Sequence, residues 1–152
     1  MQAASVPFLG KVLVPQQKEY ALPRRRLLDQ LHRGLQHRVT TIWAPAGYGK
    51  STLAASFAAD AGIPACWYTL DVTDRDGRGF LEYLVAALRV RFPGLGKGLD
   101  GALYGEGALP VSRLIGALVT EIYEEVREPF LLVFDDAGYQ NWLREQAAFS
   151  AQ

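Results

Sequence analysis

A parallel α/β architecture is predicted by three observations. Apolar residues recur at helical spacing in several stretches, β-branched or aromatic runs fall between those stretches, and one such run passes through a glycine-rich loop directly into a helix. Together they predict a three-layer fold with a mainly parallel sheet of the kind built around a phosphate-binding loop, incomplete at about three core strands.

Residues 1–23 have little periodicity and read as an arm lying over the domain, with apolar residues able to dock. Over residues 24–35, Leu27, Leu28, Leu31 and Leu35 line one face of an amphipathic helix that ends near Gly34. Residues 39–43 (Val-Thr-Thr-Ile-Trp) predict the first strand, and residues 51–59, rich in helix formers, predict the helix that follows the loop. A second strand is predicted over residues 65–70, then an acidic loop with Asp71, Asp74 and Asp76. Leu81, Leu84, Val85 and Leu88 predict a helix over residues 80–92.

Residues 93–110 hold six glycines and two prolines, which predicts a loop or mobile insertion. Ser112 is the expected N-cap of a helix running to Val126, with Leu114, Ile115, Leu118, Ile122 and Val126 facing inward. The run Phe130-Leu131-Leu132-Val133-Phe134, closed by Asp135-Asp136, predicts a strand buried on both faces of a parallel sheet.

At 152 residues and 49% hydrophobic, the chain is long enough for one core. Sixteen basic residues balance sixteen acidic ones, so the overall field gives no reason to expect nucleic acid or a charged membrane as a partner of this chain. The single cysteine, Cys66, sits in an apolar run and is expected in the core, with no disulfide available within the chain. The N-terminus lacks a basic segment followed by an apolar signal core, so a cytoplasmic location is the expectation.

The chemistry concentrates in Ala44-Pro45-Ala46-Gly47-Tyr48-Gly49-Lys50-Ser51, followed by Thr52. Its final Gly-Lys-Ser matches the phosphate-binding P-loop, with Ala44 where a glycine is usual. Glycines at 47 and 49 permit the backbone turns that aim successive N–H groups at phosphate oxygens, and the following helix adds its positive end. Lys50 supplies a mobile charge for the β- and γ-phosphates, and Ser51 a hydroxyl for Mg²⁺. Alanine at 44 is harmless where φ is negative and strained where it is positive.

The second half of the predicted site is Asp135-Asp136, at the end of a strand expected beside the one that feeds the loop. Asp135 is the expected metal-side carboxylate, and Asp136 the one placed to polarise a water for attack on the γ-phosphate. His32 and His37 have no ligand-spaced partners and are expected to be exposed.

These residues carry a resemblance. Residues 21–28 (Ala-Leu-Pro-Arg-Arg-Arg-Leu-Leu), the stretch from Val39 to Leu53, residues 67–76, residues 80–84 and residues 129–136 look like the nucleotide-binding domain of MalT-like, LuxR-type transcriptional regulators, members of the STAND class of signal-transducing ATPases. The likeness covers nearly all of residues 8–136, and Ala-Pro-Ala-Gly-aromatic-Gly-Lys is similar to that family's usual wording. It implies ATP with Mg²⁺ as cofactors and a switch in which nucleotide binding matters more than turnover. It also makes Arg24, Arg25 and Arg26 candidates for the base or sugar edge and leaves room for self-association through the nucleotide domain.

On this reading residues 24–136 form a partial STAND/AAA-like P-loop domain, and residues 137–152 a tail of unassigned role. After Asp135-Asp136 the family's aromatic-histidine pair, further strands, lid, sensor and DNA-binding parts do not follow, so the expectation is a chain truncated before them, with ATP hydrolysed slowly or not at all. The alternatives are a small-substrate P-loop kinase, whose arginine-bearing lid has no counterpart in residues 93–110, and a non-catalytic remnant. A GTPase is disfavoured because no Asn-Lys-x-Asp segment occurs.

Overall fold

The computed structural model describes residues 8–16, 22, 24–104 and 109–136; the tail of residues 137–152 lies outside them, as does most of the expected arm. Helix α1 (Arg25–Gly34) is followed by a turn, and α2 (Lys50–Asp60) begins directly after the glycine-rich loop. Strand β1 (Ala65–Thr69) leads through a 3₁₀ turn (Val72–Arg75) into α3 (Gly77–Arg89). A further 3₁₀ turn (Lys97–Leu99), the short α4 (Asp100–Tyr104), α5 (Val111–Glu125) and strand β2 (Leu131–Asp135) complete the order.

The two strands pair in parallel, with Ala65 opposite Leu131 and Thr69 opposite Asp135. The ladder is prolonged at both ends, where Leu131 N–H donates to the Pro64 carbonyl at 2.8 Å and Leu70 N–H to the Asp135 carbonyl at 2.7 Å. Parallel strands need a long crossover, and α3 and α5 lie in the one between them. The α/β class is therefore present.

The first expected strand does not join this sheet. Residues 39–43 enter no ladder among the described residues. Ile42 packs with Leu31, Leu53, Phe57 and Leu131, but Val39 and Trp43 remain 80% and 85% exposed, so little apolar surface is buried to hold the segment in register. Strand β2 is consequently not buried on both faces: Leu132 and Phe134 are exposed. Among the described residues the sheet has two strands where about three were expected.

The main core lies between β1, α3 and α5. Cys66, Leu81, Val85, Leu88, Leu114 and Leu118 are all buried there, with Phe92 and Phe130 meeting edge-on at 5.2 Å. The described part of the expected loop or mobile insertion, residues 93–104, is docked rather than mobile, because Leu95, Leu99 and Leu103 are buried in this same core. Arg89 clasps the segment by donating to the Leu95 carbonyl and to Asp100, both through hydrogen bonds shorter than 3 Å. Leucine at every fourth position within the glycine-rich stretch was the signal for docking. On α5, Pro110 rather than Ser112 occupies the cap position, and Ile115 faces solvent.

The arm is docked by one buried cation. Lys11, in a 3₁₀ turn (Leu9–Lys11), donates to both carboxylate oxygens of Asp74 at 2.7 and 2.8 Å and lies 3.0 Å from Asp71. Its ammonium sits 4.4 Å from the centre of the Tyr83 ring, while the Tyr68 hydroxyl donates to Asp74 at 2.8 Å. Burial by itself would lower the Lys11 pKa, but the hydrogen bonds and charges of Asp74 and Asp71 outweigh it and the net shift is upward. Asp71 and Asp74 also form a reciprocal capping box, and Asp76 caps α3 by accepting from Gly79 N–H. The three acidic residues of this loop thus have structural partners.

Removing the cation strands a buried carboxylate, so Lys11→Met is expected to destabilise the chain by about 3–5 kcal/mol. Adding Asp74→Asn to that variant is expected to recover part of the loss. Urea unfolding midpoints of the single and double variants check both statements.

Cys66 is fully buried, and burial raises its thiol pKa from 9.0 to about 11. The folded state therefore keeps the proton that the unfolded chain releases, so stability present below pH 9 is lost between 9.0 and about 11. The Lys11 contribution falls in the same alkaline direction, because its raised pKa is lost only on deprotonation. A thiol reagent at pH 8 is expected to leave native Cys66 unmodified and to label it once urea unfolds the chain, as mass spectrometry would read directly.

Candidate functional site

The loop of residues 44–49 turns back on itself before α2, and its two glycines take conformations that side chains resist. Gly47 has φ 84° and Gly49 φ 75°, whereas no non-glycine residue among the described ones has a positive φ. Ala44 is thus in an ordinary conformation, and its replacement of glycine is harmless. A Cβ placed on Gly47 would meet nothing within 4 Å, so the tip of the loop is open rather than filled by side chains.

Gly49 serves as the N-cap of α2, and its carbonyl accepts from Leu53 N–H at 2.9 Å. Gly49 has no side chain with which to cap this end. Leu53, Ala55 and Phe57 bury the inner face of α2, with Leu53 and Phe57 packing on Leu31 of α1. His32 strengthens that pairing, with Nε2 2.7 Å from an oxygen of Asp60 and its ring edge-on to Phe57. It is therefore half-buried and engaged rather than free on the surface, while His37 is exposed.

The sheet and the loop meet at one hydrogen bond. Ser51 Oγ donates to Asp135 Oδ1 at 2.8 Å across a separation of 84 residues. Asp135 reaches it because it ends β2, where the Leu70 N–H fixes its carbonyl and sends its side chain toward the start of α2. Lys50 folds over the loop, donating to the Ala44 carbonyl at 2.7 Å and the Pro45 carbonyl at 3.1 Å.

Most of the sequence-predicted residues thus come together. Ala44, Pro45, Ala46, Gly47, Tyr48 and Gly49 form the loop, with Tyr48 exposed at its tip. Lys50, Ser51 and Thr52 form the first turn of α2, where Thr52 faces solvent. Asp136 follows β2 and is half-buried, and the ladder does not hold it beside Ser51 as it holds Asp135.

Sequence reasoning missed the use made of Arg24. Its Nη1 donates to the Tyr48 carbonyl at 2.8 Å, placing the guanidinium against the loop's backbone, while Arg25 and Arg26 are exposed on α1. Nothing in spacing alone links residue 24 to residue 48; only the packing of α1 on α2 does.

Among the described residues no three His, Cys, Asp or Glu side chains converge to hold a metal, and no helix is long and apolar enough to cross a membrane. The oxygen pair of Ser51 and Asp135 is the sparse donor set that suits a hard cation carrying most of its own ligands.

No protein-family profile matches the chain, and no solved structure does. Curated relatives do. The HTH-type transcriptional regulator MalT of Yersinia enterocolitica serotype O:8 is 35% identical over 127 residues, which is 84% of this chain. The proteins of the same name from Yersinia pestis (strain Pestoides F) and Yersinia pseudotuberculosis serotype O:1b are each 33% identical over the same length. The chain spans 14% of the length of these relatives. Across that span it is MalT-like, related to one segment of the HTH-type transcriptional regulators of that name.

Proposed function

We propose that this chain is the ATP-binding module of a signal-transducing, MalT-like transcriptional regulator, built on a STAND-type P-loop. The observation that carries the reading is the 2.8 Å hydrogen bond between Ser51 and Asp135, which joins the loop's hydroxyl to the carboxylate that ends the neighbouring strand. Two groups of low individual specificity acquire it when they meet at one point beside an open glycine turn.

The residues present fit a Mg²⁺-bound triphosphate. Backbone N–H groups at the mouth of α2 would supply donors for phosphate oxygens, although that of Tyr48 donates to the Pro45 carbonyl in this structure, and the helix adds its positive end. Lys50, which bonds the Ala44 and Pro45 carbonyls in this structure, would supply a charge-assisted contact to the phosphates. Ser51 and Asp135 would hold the metal, which would supply neutralisation of charge developing on the phosphates. Asp136 is assigned the orienting of a water, a role that turnover needs and a binding switch does not.

The kinase reading loses ground on one observation. A kinase closes a lid over its phosphates, and residues 93–104 are pinned by three buried leucines and the Arg89 clasp instead. The self-association and the cytoplasmic location expected from sequence belong to the same proposal.

The chain is expected to bind a fluorescent ATP analogue with Mg²⁺ and to hydrolyse ATP slowly or not at all. Lys50→Ala is expected to weaken binding by on the order of 1.5–3 kcal/mol, the worth of a charge-assisted contact. Equal affinity of wild type and variant in that titration removes the phosphate-loop assignment. Asp135→Asn is expected to reduce the gain in affinity that Mg²⁺ provides while leaving metal-free binding nearly unchanged, which titrations with and without EDTA compare.

A further inference from the structure

Arg24 lies far from the loop in sequence yet against its backbone in space. Its Nη1 donates to the Tyr48 carbonyl at 2.8 Å, and a Cβ added to Gly49 would meet its Nη2 at 3.1 Å and its Cζ at 3.5 Å. The guanidinium therefore covers one side of the Tyr48–Gly49 peptide.

That peptide is trans, as no cis bond occurs among the described residues. In a trans unit the carbonyl and the following N–H point in opposite directions. Holding the Tyr48 carbonyl toward Arg24 thus turns the Gly49 N–H to the other side of the loop. The glycine at 49 is what allows this orientation, since its φ of 75° would strain any other residue.

Resting on the phosphate-loop reading above, we infer that Arg24 is a positioning residue: its guanidinium holds the Tyr48 carbonyl so that the Gly49 amide is presented to the triphosphate, and it touches neither base nor sugar. The family resemblance made Arg24, with Arg25 and Arg26, a candidate for the base or sugar edge; the contact with the loop's own backbone points to different work. Pre-orienting an amide removes the need to order that peptide when the ligand arrives. Arg24 also stands at the N-cap of α1, whose packing on α2 through Leu31, Leu53 and Phe57 keeps it in reach of the loop.

The two roles separate when the base and sugar are taken away. Affinities of the 152-residue chain for ATP and for inorganic tripolyphosphate, both with Mg²⁺, are compared for wild type, Arg24→Ala and Lys50→Ala. Arg24→Ala is expected to weaken both ligands by the same factor, roughly three- to tenfold, the range a net hydrogen bond supports. In the ligand-free protein the Gly49 amide resonance is expected to shift as its peptide is released. Arg24→Met keeps a stem of similar length without any N–H donor and carries the same expectations should the alanine variant not fold.

A loss confined to ATP, with tripolyphosphate unchanged, would assign Arg24 to the nucleoside and overturn the inference. Unchanged affinity for both ligands in the Arg24 variants, alongside a loss in Lys50→Ala, would overturn it while leaving the phosphate loop standing. Wild-type affinity of Lys50→Ala for both ligands would remove the loop assignment itself, and the inference with it.

Discussion

The hydrogen bond between Ser51 and Asp135 is the interaction on which the rest of the site depends. One partner belongs to the first turn of α2 and the other to the last residue of β2. Joining them places a helix mouth at the carboxyl end of a parallel strand, where open α/β sheets collect their ligands. The hydrophobic packing of α1, α2 and Leu131 brings the two elements near each other, but it is not directional. The hydrogen bond decides which groups face each other.

Around that point the backbone is set by neighbouring side chains. Lys50 holds the carbonyls of Ala44 and Pro45 on one limb of the loop, and Arg24 holds that of Tyr48 on the other. Two cations thus bind three carbonyls of a six-residue turn, and each carbonyl so held constrains the amide that follows it where one exists, Pro45 having none. The chain's net charge of zero conceals this local arrangement, because overall balance says nothing about where the cations stand.

Much of this was legible in the sequence where a short pattern has a single physical use. Gly47, Gly49, Lys50 and Ser51 at fixed spacing before a helix, and an apolar run closed by Asp135, each demand a particular backbone. The helices were legible too, because α1 and α3 carry apolar residues at three- and four-residue intervals. The failures came where local pattern and burial disagree. Residues 39–43 have strand composition, yet the side chains of Val39 and Trp43 find no cover and the segment stays out of the ladder. Residues 93–110 have loop composition, yet three leucines find a core. Arg24 and Lys11 were hidden for another reason: their partners, Tyr48 and Asp74, lie 24 and 63 residues away, and only the folded chain brings them together.

The most direct measurement is a crystal structure of the chain with Mg²⁺ and a non-hydrolysable ATP analogue. The account predicts the phosphates against the backbone amides of residues 46–51, with Lys50 moved off the Ala44 and Pro45 carbonyls and the metal at the oxygens of Ser51 and Asp135. A nucleotide bound elsewhere, or a loop still closed by Lys50 with the ligand absent at saturating concentration, would contradict it.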